Sequence, residues 1–256
     1  MNRIRTVHRL VSPKIPEKLR FAVAADLHSS PFEDVMEDFA RCDGVLLPGD
    51  LADRHRRDNS LAERFLLEAP KAAPVFMSVG NHEWKMKNRD AFLQKVADSR
   101  VTLLDDESVL FHGIHIGGLS SRKENTPNLA FLDAFEKEEG FRLLLCHQPE
   151  IWRDYVAGRD IDFTLCGHAH GGQIQIRGRG LYAPGQGLFP RLTHGLHGDG
   201  KMLISRGMTN SAKPPVPRIG NPCELIILEL IPEKKRERIR PDSELHSGEK
   251  TGTNPA

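Results

Sequence analysis

The sequence predicts an α/β fold with a largely parallel sheet, and two observations carry that prediction. Short apolar runs recur along the chain, each bounded by polar or glycine-containing sequence; their length and flanks suit strands buried on both faces better than helices. Segments with helical spacing lie between the runs, and strands that alternate with helices build parallel sheets.

The elements follow in order. The first twenty residues, "MNRIRTVHRLVSPKIPEKLR", mix charge and proline throughout and lack the apolar stretch of a signal peptide; they do not declare whether they pack on the sheet. The first strand is "FAVAA" (21–25), followed by a helical segment at 31–42, a strand "GVLLP" (44–48), a helical segment at 59–69, and a strand "PVFMSV" (74–79). A further helical segment spans 88–99. "SVLFH" and "IHIGG" flank Gly113 as a β-hairpin. Then come a helical segment at 127–139 and the strands "FRLLLC" (141–146) and "FTLC" (163–166), with "QIQIRGRGLYA" and "KMLISRG" read as hairpin sequence. Residues 1–231 are expected to form one domain, without repeat or linker. Residues 232–256 are charged, nearly free of apolar side chains, and expected to be disordered.

Composition excludes several classes. Hydrophobic residues make up 39% of the 256 and charged residues 28%, enough apolar content for one large core. Lysine and arginine number 36 against 35 acidic residues, so no global field favours nucleic acid or an anionic membrane. No run approaches 18 apolar residues, so no transmembrane segment is expected. Cys42, Cys146, Cys166 and Cys223 lie far apart without a C-x-x-C pair and read as reduced thiols, as in a cytoplasmic protein.

The informative pattern is positional. Asp26-Leu27-His28 follows the first apolar run, Gly49-Asp50 the second, and Gly80-Asn81-His82-Glu83 the third; His147 follows "FRLLLC", and Gly167-His168-Ala169-His170 follows "FTLC". Carboxyl ends of parallel strands share one rim, where α/β proteins bind ligands, so five separated segments converge on one cleft. Imidazole, carboxylate and amide oxygen together suit Mn²⁺, Fe²⁺ or Zn²⁺, and they exceed what one ion of four to six ligands can use. Two ions about 3.5–4 Å apart would use the whole set and suit an in-line displacement at phosphorus.

In this order the blocks "DLH" at 26, "GD" at 49, "GNHE" at 80, His147 and "GHAH" at 167 resemble the calcineurin-like metallophosphoesterases. The following "GGQ" and the late "PRIGNPCEL" are similar to the branch carrying G-H-T-H-G-G-Q, which extends the likeness to about residue 230. The resemblance implies a four-layer α/β/β/α sandwich. It also implies a metal-dependent phosphoesterase in which a hydroxide bridging two metals attacks phosphorus. Asp26, His28 and His170 would hold one ion; Asn81, His147 and His168 would complete the other; Asp50 would bridge. His82 would face the leaving group, with Glu83 as its orienting partner, and glycines 49, 80 and 167 would give the chain its tight turns. Ala169, Glu83 and Cys223 depart from the commoner threonine, aspartate and proline, and none of these changes removes a ligand.

A small soluble phosphoester, diester before monoester, is the expected partner. The enzymatic alternative is a UDP-diacylglucosamine-type pyrophosphohydrolase, and the non-catalytic alternative a scaffold of the same fold. The remaining histidines carry plainer readings. His112 and His115 belong to the Gly113 hairpin, and His194 and His197 to a glycine-rich loop that could overhang the cleft. His8, His55 and His246 carry no signal.

Overall fold

In the computed structural model, which describes residues 3–122, 125–213 and 216–233, the apolar runs are strands buried on both faces. The chain opens with β1 (Ile4–Ser12) and β2 (Leu19–Val23), then alternates α1 (Met36–Ala40), β3 (Gly44–Pro48), α2 (Ser60–Ala72) and β4 (Val75–Ser78). Two helices, α3 (Asn81–Lys85) and α4 (Arg89–Ala97), lead to β5 (Val101–Leu104). A hairpin of β6 (Glu107–Phe111) and β7 (Ile114–Leu119) turns at Gly113, followed by α5 (Leu129–Phe135), β8 (Phe141–Cys146), the helical turn α6 (Pro149–Ile151) and β9 (Phe163–Cys166). Four two-residue strands form two small hairpins: β10 (Gln175–Ile176) with β11 (Arg179–Gly180), and β12 (Tyr182–Ala183) with β13 (Gly187–Leu188). β14 (Gly195–His197), β15 (Met202–Ile204) and β16 (Glu224–Pro232) close the described chain.

Two six-stranded sheets result, in the orders β1-β16-β2-β3-β4-β5 and β14-β15-β9-β8-β7-β6. Strands β2 to β5 run parallel, as do β7, β8, β9 and β15. The period-2 alternation of a strand assigns each neighbour to a different core. On β3, Val45 and Leu47 face a core shared with Phe39, Phe65 and Phe92 of the helices, while Leu46 faces the space between the sheets. On β8, Leu143 and Leu145 meet Phe21 and Phe76 between the sheets, while Leu144 and Cys146 pack outward against Leu132, Phe135 and Trp152. Three cores between four layers make the α/β/β/α sandwich, and they explain why the strands read as unbroken apolar runs. Helix α2 buries Ala62, Phe65, Leu66 and Ala69, the i, i+3, i+4, i+7 stripe of a helix resting on a sheet.

Some expectations shift. The N-terminal stretch, which the sequence left open, packs on the sheet: β1 pairs in parallel with β16 along the edge of the first sheet. "KMLIS" does not form a hairpin with "QIQI". Its residues build β15, which joins β9 in the second sheet and pairs with β14. The segment at 31–42 folds as a 3₁₀ turn, Glu33–Val35, followed by the short α1. The domain boundary at 231 falls inside β16, and residues 234–256 of the expected tail lie outside the described residues. Among the described residues, all four cysteines are free thiols and no helix is long and apolar enough to cross a membrane.

Candidate metal centre

The chain leaves β2, β3, β4, β8 and β9 at the same rim, and backbone bonds tie those exits together. His28 N–H donates to Asp50 O (3.0 Å), and Gly167 N–H donates to His147 O (3.0 Å). Across the gap between the sheets, the His168 amide donates to both oxygens of Asp26 (3.1 Å each). Asp26, His28, Asp50, His168 and His170 all hold left-handed backbone, with φ from 47° to 66°. Non-glycine residues there cost energy and gather where surrounding structure over-determines them for function.

All eight expected site residues come together. Ligating atoms of Asp26, His28 and His170 lie within 4.8 Å of one another, as do those of Asp50, His147 and His168 and those of His28, Asp50 and His82. His28 Nε2 is 3.3 Å from His170 Nε2, 3.9 Å from Asp26 Oδ1 and 3.8 Å from Asp50 Oδ2. His147 Nε2 lies 3.1 Å from both Asp50 Oδ2 and Asn81 Oδ1. His28 and Asp50 each appear in two of the three groups and link them into one cluster.

The donor chemistry fits cations. His147 Nδ1 donates to Pro48 O (2.8 Å), a carbonyl anchoring that fixes its tautomer, and His170 Nδ1 lies between Thr209 O (3.1 Å) and Arg218 Nη2 (3.2 Å); both rings thereby turn Nε2 inward. Burial holds His28, His168 and His170 below the usual imidazole range, which keeps them in the neutral form that binds metal. His147 is the exception. Burial would lower it too, but the Asp50 carboxylate outweighs that and pushes it up to about 10. A proton on His147 Nε2 then occupies the place, between two oxygens, that a metal ion would take.

His82 sits beside this cluster, its ring edge-on to His28 with centroids 4.5 Å apart. Its orienting partner is Asp53, not Glu83: His82 Nδ1 lies 3.1 Å from Asp53 Oδ1. Burial alone would lower His82; Asp50 and the bond to Asp53 outweigh it and raise it above the usual imidazole range. Burial would likewise raise Asp53, but His82 and the amides of Ala212 and His55 hold it below the usual carboxylate range. The Glu83 carboxylate instead accepts from the amides of Asp50 and Gly80 (2.9 Å each) and of Ala52 (2.8 Å), locking the exit of β3 onto α3. Burial and the nearby Asp50 charge push Glu83 up to about 7.

The glycines act in two ways. Gly49 turns with φ +84°, whereas Gly80 and Gly167 are required by close approach: a Cβ on Gly80 would collide with Asp50 Oδ1, and one on Gly167 would lie 2.7 Å from Asp26 Oδ2. Behind His170, Asn221 Nδ2 donates to His170 O (2.7 Å) and Gln173 O (3.0 Å), and Arg218 Nη2 donates to Thr209 O (2.7 Å). These residues of the late "PRIGNP" stretch, together with Asp53, were missed as site residues. Asp53 carried a signal as a second carboxylate three residues after Asp50, and Arg218 and Asn221 only as members of the "PRIGNPCEL" likeness.

The cluster floors a cleft of about 260 Å³ whose lining includes Arg54, His55, His82, Lys85, Tyr182 and Lys213. His55, which carried no sequence signal, stands edge-on to His82 with centroids 5.5 Å apart. His194 and His197 do not line the cleft. His194 Nδ1 lies 2.9 Å from Thr193 Oγ1, and His197 Nε2 donates to His194 O (3.1 Å). His112 and His115 lie on the Gly113 hairpin, beside Glu17 and Glu138.

Residues 19–172 match the family model described as calcineurin-like phosphoesterase. The chain is 31% identical over 144 residues to the Bacillus subtilis protein named "Uncharacterized metallophosphoesterase YkoQ", covering 52% of this chain and 51% of that one. It is 26% identical over 236 residues to an uncharacterized metallophosphoesterase of Campylobacter jejuni, covering 85% and 60% respectively. To one of Helicobacter pylori it is 26% identical over 181 residues, covering 63% and 47%. The chain therefore spans between 47% and 60% of the length of these relatives.

Proposed function

The chain belongs to the calcineurin-like phosphoesterase family, and on that premise we propose that it hydrolyses phosphate esters, diesters before monoesters, with two divalent ions held in its cluster. The observation that supports this most is the position of Asp50, whose Oδ2 lies 3.8 Å from His28 Nε2 on one side and 3.1 Å from His147 Nε2 on the other, beside the His82–Asp53 pair. In this reading Asp26, His28 and His170 hold one ion, Asn81, His147 and His168 the other, and Asp50 serves both. Mn²⁺, Fe²⁺ and Zn²⁺ all suit that donor set. When bound, such ions supply Lewis acidity toward phosphate oxygens and a nucleophile from water at neutral pH.

The chain's own residues supply the rest. Asp53 pins His82 Nδ1, which leaves Nε2 to give a proton to the departing oxygen from within the cleft. Positioned proton transfer of this kind contributes about 10²–10⁴ in rate. Glu83 keeps Asp50 in place through the backbone it ties, and Asn221 does the same for His170. A pyrophosphate substrate is the second reading, favoured by Arg54, Lys85 and Lys213, whose positive charges line the same cleft.

The test measures p-nitrophenol release from bis(p-nitrophenyl) phosphate and p-nitrophenyl phosphate by Mn²⁺-loaded protein, with metal content read alongside. Asp50→Asn is expected to lose metal and activity together, while His82→Ala keeps its metal and loses rate. No turnover of either ester by metal-replete wild type would overturn the broad esterase and leave the pyrophosphohydrolase, assayed by release of a nucleoside monophosphate from a nucleotide sugar.

A further inference from the structure

The near-neutral net charge conceals a local asymmetry on one side of the cleft. Residues 167–198 contain Arg177, Arg179 and Arg191 and no aspartate or glutamate. Within that stretch, consecutive residues Leu188 and Phe189 are 74% and 75% exposed, and Ile176 and Tyr182 are exposed as well. Single exposed apolar side chains are common on soluble proteins; neighbouring large ones mark an interaction site.

The placement of these residues relates them to the cleft. Tyr182 pairs directly across the hairpin with Leu188, so the two side chains leave the same face, and Tyr182, Pro184 and Gly185 line the cleft. The hairpin joins the candidate metal loop through Leu181 N–H, which donates to Gly172 O (3.2 Å), and Phe189 N–H donates to Leu181 O (2.9 Å). The exposed Leu188–Phe189 pair, at the open end of this hairpin beside the cleft-lining Tyr182, therefore stands next to the cleft, with Arg177, Arg179 and Arg191 in the segments on either side of the hairpin.

We propose that β10–β13 form a lip that docks the cleft's mouth onto an anionic lipid bilayer, Leu188 and Phe189 entering the head-group boundary while Arg177, Arg179 and Arg191 meet anionic head groups. An exposed apolar pair on a segment with three arginines and no acid of its own, where the carboxylate against Gly185, that of Glu150, is buried, has the chemistry of an interfacial anchor. A second copy of this chain is the poorer occupant, because a two-fold contact would bring together two copies of a segment that carries three arginines and no acid of its own. A consequence for substrate rests on the phosphoesterase reading: a docked cleft meets phosphoesters carried in the head-group layer.

The experiment is flotation of the full chain with vesicles of phosphatidylglycerol and phosphatidylcholine in equal parts, and with phosphatidylcholine alone, beside bis(p-nitrophenyl) phosphate turnover. Wild type is expected to float with the anionic vesicles and to be released by salt. Leu188→Ser/Phe189→Ser should weaken partitioning at least about tenfold. Replacing each arginine with glutamine should weaken it about fivefold. Ester turnover and melting temperature of these variants should stay at the wild-type level, which keeps failure to dock distinct from failure to fold or hydrolyse. Wild type that does not float, floats equally on both vesicle types, or floats as well with the double substitution as without it would overturn the proposal. So would a dimer in solution that the double substitution abolishes in the absence of vesicle binding.

Discussion

The two sides of the cleft are built on opposite principles. On the ligand side, side chains sit at the exits of strands buried on both faces, and amide bonds and left-handed residues fix each turn. On the lip side, β10 to β13 are two-residue strands. The family match ends at residue 172, and the lip begins at Gln175. A rigid rim carries chemistry that tolerates little displacement, whereas an exposed lip on short hairpins can change its surface at small cost in folding energy.

If the rim is the demanding side, substitutions there should have the larger effects. Asp53→Asn is expected to lower turnover of a soluble diester roughly a hundredfold, with metal content unchanged, because His82 loses the carboxylate that orients it. Equal rates would return the orienting role to another group. Gly80→Ala should destabilise by about 1–3 kcal/mol, since its methyl group meets Asp50; a thermal melt and metal content measure both consequences. Asn221→Ala leaves the carbonyls of His170 and Gln173 without their donor and should cost about 1–2 kcal/mol, seen as a drop of a few degrees in Tm. On the lip, Leu188→Ser should leave the stability measured by denaturant unfolding within about 0.5 kcal/mol of wild type, and a large loss would mean that this side chain is packed rather than exposed.

The sequence made one kind of information plain and hid another. Runs such as "GVLLP" and "FRLLLC" announce strands because both faces are buried, and the polar residues after them announce the rim. β1 gave no such signal. Val7 and Val11 point to solvent, and its partner β16 lies some 220 residues further along the chain. The misassigned partner of His82 has a similar cause. Glu83 is its neighbour in sequence, but consecutive residues of a helix do not face one another, so Glu83 turns to the backbone of β3's exit. Asp53 reaches His82 only through the turn that follows Asp50. Asn221 bonds the carbonyl of His170 from 51 positions away, and Arg218 bonds that of Thr209, which also faces His170 Nδ1, so neither forms a local pattern with the "GHAH" block.

The amide bonds from His168 to Asp26 span 142 positions of the chain and join one sheet to the other. Each proposed ion would draw ligands from both sheets, so it would act as a reversible cross-link between the halves of the sandwich. Chelation would then do more than silence a reaction. It would remove a staple from the seam, leaving the metal-free chain to hold its two sheets together there by the His168–Asp26 bonds and the shared core alone.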